Sequence, residues 1–99
     1  MKVMAASRST RRVRVLVEGR VQGVGFRQST LETARWLGVT GWVRNLPTRR
    51  QVECEAEGNA EAIAAFLQWM DQGPGLARVD RVLVTDIAPQ NDPSFRIRP

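Results

Sequence analysis

The stretch 13-VRVLVEGRVQGVGFR-27 decides the fold. Its first half places Val13, Val15 and Val17 at every second position, the period of a half-buried strand over residues 13–18. Its second half carries glycines at 19, 23 and 25, followed by Arg27. Beyond it, Thr30, Leu31, Ala34 and Leu37 recur at helical spacing, which predicts a helix over 27–37 closed by Gly38 as a left-handed C-cap. Strand, glycine loop and helix therefore follow one another with no room for a further element.

The same reading extends outward. Residues 39–46 form a second strand that Pro47 ends, and 51–57 a third, with Val52, Cys54 and Ala56 facing inward and Gly58 closing it. Residues 48–51 connect the two as a hairpin. Asn59 is a good N-cap with Glu61 in the first turn, opening a second helix that runs to about Gln72. Its buried stripe is Ile63, Phe66, Leu67 and Met70, while Trp69 lies off it and covers the helix–sheet boundary. A fourth strand carries Val79, Val82, Val84 and Ile87, with a bulge where the alternation slips. Phe95 and Ile97 mark a short fifth. The order βαββαβ plus one strand predicts an α+β fold, the ferredoxin-like α/β sandwich, with two helices on one face of a mostly antiparallel sheet.

Charge separates the chain into a leader and a body. Of 15 basic residues, five (Lys2, Arg8, Arg11, Arg12, Arg14) lie in the first fourteen positions, which hold no acid; the remaining ten balance all ten acids. A polar, disordered basic leader is therefore expected over 1–12 and a neutral domain over 13–99. A neutral body with no tyrosine lacks the basic stacking face of an RNA-binding sheet, so a nucleic-acid partner is not expected. No stretch is long and apolar enough to span a bilayer, and no signal peptide is evident, so the reading is cytoplasmic with no membrane partner. The single Cys54 agrees with a reducing compartment. There is no histidine, which excludes a histidine-activated nucleophile and leaves zinc without its usual ligands. The expectation is no metal and no cofactor.

What remains is Arg, Asn, carboxylates and backbone amides. N–H groups at a helix start are unpaired and partly positive, and glycines let consecutive N–H groups curl around one point. The loop Arg20, Val21, Gln22, Gly23, Val24, Gly25 and Phe26 is thus a candidate oxyanion cradle, and Arg27 adds a planar permanent charge. The helix crossover makes the first two strands parallel, so Asn45 at the end of the second points into the neighbourhood of the loop and Arg27. Arg44 reads as a solvated strand residue.

The combination of 19-GRVQGVGFR-27 with 41-GWVRN-45 resembles the acylphosphatase family, and the similarity runs from Val13 to Arg98, including 55-EAEG-58 and 95-FRIR-98. The resemblance implies a metal-free, cofactor-free hydrolase of acyl phosphates, with a small-molecule acyl phosphate as substrate and inorganic phosphate as product. It implies that Arg27 binds the phosphate and Asn45 positions the water. Three departures stand out: a 48–51 turn without glycine and about one residue longer than a tight hairpin, Pro99 where relatives carry an aromatic, and the long basic leader. The competing reading is a non-catalytic anion-binding or interaction module on the same fold.

Overall fold

The structure, a computed structural model, describes residues 9–99. The elements are β1 (Thr10–Arg20), α1 (Phe26–Leu37), β2 (Thr40–Asn45), β3 (Gln51–Asn59), α2 (Ala60–Met70), β4 (Arg78–Ile87) and β5 (Phe95–Ile97). They form one five-stranded sheet in the order β4-β1-β3-β2-β5. β1 runs antiparallel to β3 and β4, β2 antiparallel to β3, and β5 parallel to β2. This is the expected α+β sandwich.

The core lies between the helices and one face of the sheet. Val13, Val15 and Val17 from β1, Val52, Cys54 and Ala56 from β3 and Val43 from β2 are all fully buried there. The helices contribute Phe26, Thr30 and Ala34 from α1, and Ile63, Phe66 and Met70 from α2. Each large side chain so buried contributes roughly 1.5–3 kcal/mol. Thr30 is a polar exception with its need met, its hydroxyl donating to the Phe26 carbonyl at 2.7 Å. The Trp69 ring packs on Phe26 with centroids 5.7 Å apart, joining the end of α2 to the start of α1, and lies against the core cluster. Cys54 is buried, and loss of hydration pushes its thiol pKa well up.

Several boundaries differ from expectation, two of them for one reason. β1 begins at Thr10 and not Val13, and β3 runs through Gly58 to Asn59, because Thr10–Asn59, Arg11–Gly58 and Arg12–Glu57 extend a single ladder. The leader expected over 1–12 therefore gives up Thr10, Arg11 and Arg12 to the sheet; residues 1–8 lie outside the described residues. The ladder's fastening is Arg12, whose side chain is fully buried. It donates to Glu55 at 2.8 Å, Glu57 at 3.0 Å and Asp92 at 3.1 Å. Glu57 also accepts from the Gln90 and Asn91 N–H groups at 2.7 and 3.1 Å, strapping the 88–94 connection to the sheet. Arg11 and Arg14 likewise pair across the sheet with Asp86 and Glu53. α2 also ends early, at Met70 and not near Gln72.

The end of β1 is shaped by a bulge. Glu18 faces Arg81 and Gly19 faces Val79, leaving Asp80 as the extra residue of β4. Gly19 has φ 143°, and a Cβ there would stand 2.1 Å from the Arg78 carbonyl oxygen, so the close approach requires glycine. The β2–β3 turn solves its lack of glycine differently. Arg49 itself adopts φ 68°, with its N–H donating to the Leu46 carbonyl at 3.3 Å and Pro47 fixing the preceding bend.

Burial raises the Glu53 and Glu57 pKa values, but hydrogen bonds more than offset it: from Arg44 and Arg14 for Glu53, and from Gln90, Arg12 and Asn91 for Glu57. Both end below the ordinary 4.5. A lowered folded-state pKa gives stability that is full above the unfolded value and lost as pH falls through the folded one. In urea unfolding, Arg12→Met is expected to cost about 3 kcal/mol at pH 7. The gap to the parent should narrow as acid protonates the carboxylates below 4.5. A gap that persists unchanged into acid would mean that the cluster is held by packing and not by charge.

Candidate active site

The two helices begin in opposite ways. The Asn59 side chain caps α2, accepting from the Ala62 N–H at 2.8 Å, and Glu61 lies in the first turn. Gly25 stands at the N-cap of α1 in a left-handed conformation, φ 76° and ψ 19°; it has no side chain to offer, and no acid follows in the first turn. The first N–H bond of α1 runs from Ser29 to the Gly25 carbonyl at 3.0 Å. Among the described residues, no N–H from Gln22 to Gln28 donates to a backbone carbonyl. The glycine loop and the first turn of α1 thus present a run of unused donors and the positive end of a helix.

Part of this run borders a cavity of about 390 Å³. Its walls include Gly23 and Gly25 from the loop, Phe26 and Arg27 from the start of α1, and Asn45 from the end of β2. Val21, fully buried, also lines it. Arg27 is exposed and makes no ion pair among the described residues, unlike Arg12, Arg14 and Arg44. The Asn45 Oδ1 is buried and has no hydrogen-bond partner among the described residues. A buried acceptor left empty costs on the order of 1–3 kcal/mol, so its retention calls for a reason.

The other expected site residues divide. Arg20 ends β1 in the ladder with Arg78 and does not line the cavity. Val24 packs against the core. Gln22 also stands off the cavity, but its side chain reaches the neighbouring hairpin, where Nε2 donates to the Leu46 carbonyl at 2.8 Å and the Gln51 carbonyl at 2.9 Å. Arg44 lies on the far face of the sheet, bound to Glu53 at 2.7 Å and set 5.5 Å from the centre of the Trp42 ring. Two cavity residues escaped the sequence reading. Gln28 follows Arg27 on the first turn of α1, and helical proximity to Arg27 could have found it. Ile97 arrives through the pairing of β5 beside Val43, which no local signal announces.

Fold and cavity together define a small α/β sandwich with a donor-rich recess at the carboxyl ends of two parallel strands. The acylphosphatase family model matches residues 13–97. An acylphosphatase of Anaeromyxobacter dehalogenans is 52% identical over 88 residues, 88% of this chain and 94% of the relative. One from Rubrobacter xylanophilus is 54% identical over 83 residues, 84% of this chain and 74% of the relative. The solved structure of an acylphosphatase from Coxiella burnetii superposes with a TM-score of 0.86 at 37% identity, covering 90% and 93% of the two chains. The chain belongs to the acylphosphatase family, hydrolases that split acyl phosphates into a carboxylate and inorganic phosphate.

If the Asn45 oxygen is retained for function, removing it should cost the fold nothing. Asn45→Leu is expected to leave the unfolding free energy unchanged or to raise it by up to about 1 kcal/mol. A clear loss of stability in the same urea titration would show that the carboxamide has a structural partner.

Proposed function

We propose that the phosphoryl group of the acyl phosphate sits in the recess formed by the N–H groups of residues 22–28 and the Arg27 guanidinium, with Asn45 holding the attacking water. The observation that carries this reading is the convergence of unused donors with an empty acceptor. Free N–H groups and a guanidinium suit phosphoryl oxygens, and the unpartnered Asn45 Oδ1 suits a water hydrogen.

The chemistry asks little more. The leaving group is a carboxylate whose conjugate acid has a pKa of about 4 to 5, so it departs as an anion at neutral pH without a proton donor. Water attacks phosphorus, the bond from phosphorus to the acyl oxygen breaks, and its electron pair leaves with the carboxylate. An asparagine cannot take the water's proton at neutral pH, so a phosphoryl oxygen receives it. Catalysis then rests on positioning and on stabilising charge at the phosphoryl oxygens by preorganised donors. A chain without histidine can supply all of these. Inorganic phosphate, the product, occupies the same donors. The buried, unpaired Cys54 supports assignment of the activity to the cytoplasm.

The test is phosphate release from benzoyl phosphate in the presence of a chelator. The parent should turn over. Arg27→Ala should lose both turnover and inhibition by inorganic phosphate. Asn45→Ala should lose turnover, by about a hundredfold or more, while phosphate still inhibits. Parent-like hydrolysis by Asn45→Ala would remove the water-holding role, and parent-like hydrolysis by Arg27→Ala the phosphate-binding one.

A further inference from the structure

The reacting parts sit on separate pieces of the fold. The donors belong to the loop after β1 and to the start of α1, whereas Asn45 ends β2, and β3 lies between β1 and β2. Something must fix the distance between loop and carboxamide, because a misplacement of about 1 Å can cost around a hundredfold in rate.

We propose that Gln22 is a positioning residue for this reaction, tying the glycine loop to the backbone that carries Asn45. Its Nε2 has two hydrogens, and both are used: one goes to the carbonyl of Leu46, the residue after Asn45, the other to the carbonyl of Gln51. Because both acceptors are carbonyls, the orientation of the amide is forced, with nitrogen toward the hairpin. The two carbonyls are themselves fixed. The Leu46 N–H donates to the Gln51 carbonyl at 3.0 Å, closing the β2–β3 hairpin at its base. Gln22 thus grips the hairpin where β2 ends and β3 begins, one residue from Asn45.

The attachment leaves the donors free. The loop could have been anchored by its own N–H groups, but these would then be lost to an anion. The Gln22 side chain makes the connection instead, and the N–H groups of residues 22–28 keep no backbone acceptor among the described residues. A second tie, the Gly19 N–H to the Arg50 carbonyl at 2.9 Å, holds the end of β1 to the same hairpin and survives any change at Gln22. Loss of the Gln22 side-chain bonds should therefore shift the loop against Asn45 without unfolding the sandwich.

The proposal rests on the roles given above to Arg27 and Asn45. Its test is Gln22→Met, which keeps the length of the side chain and removes both donors. Measured with benzoyl phosphate, kcat should fall about tenfold or more, while the inhibition constant for inorganic phosphate stays within about threefold and Tm within a few degrees of the parent. The same substitution placed on Asn45→Ala should cost less than about twofold, because a residue that acts through Asn45 has nothing left to position. A parent-like kcat for Gln22→Met overturns the proposal. So does an equal loss in both backgrounds, or a loss of kcat accompanied by matching losses of phosphate inhibition and Tm. If Asn45→Ala alone hydrolyses benzoyl phosphate as the parent does, the water-holding role fails first, and the result is distinguishable from a failure of Gln22 alone.

Discussion

Backbone donors are rarely left idle in a folded protein, and here a continuous run of them is. From Gln22 to Gln28 no N–H finds a backbone acceptor among the described residues, and the helix they introduce is left uncapped by Gly25. The contrast with α2, capped by Asn59 in the usual way, shows that the chain can close a helix start when the site does not need it open. The uncapped start of α1, the exposed Arg27 and the empty Asn45 oxygen all forgo interactions within the protein. Stability forgone at the carboxyl ends of β1 and β2 has to come from elsewhere.

It comes from the core and from the opposite face of the sheet. The valines of β1 and the stripes of both helices make a dry interior, and Phe26, a wall of the recess, packs there on Trp69. The uncovered face is laced with ion pairs, chiefly Arg12 with Glu55, Glu57 and Asp92, and Glu53 with Arg14 and Arg44. The division of labour is electrostatic. On the far face, arginines are matched to carboxylates; at the recess, among the described residues, Arg27 has no ion-pair partner and no carboxylate lines the cavity. A carboxylate there would repel the phosphoryl group it must admit.

Much of this is legible in the chain. Alternating valines, a glycine run and a helical stripe announce the strand–loop–helix unit, and the parallel crossover rule carries Asn45 to the same end of the sheet as Arg27. Asn59 and Gly38 mark helix boundaries by their own chemistry. What was not legible depends on distant partners. Arg12 sits in a basic run that looks solvated, and only the carboxylates of residues 55, 57 and 92 explain its burial. The sequence marks Gln22 as a member of the loop but not the role of its side chain, whose acceptors are 24 and 29 residues away. Ile97 reaches the recess because β5 adds to the β2 edge, and strand order has no local signature. Arg49 takes a left-handed conformation where glycine would be the simpler choice, a strain accepted because the hairpin bonds around it hold.

The most direct measurement is a crystal structure of the protein with inorganic phosphate bound. The account predicts an anion in the recess with its oxygens within hydrogen-bond distance of several N–H groups of residues 22–28 and of the Arg27 guanidinium, and an ordered water on Asn45 Oδ1 beside it. Phosphate bound away from the loop, or a loop whose amides turn to acceptors of the protein's own when the anion is present, would contradict it.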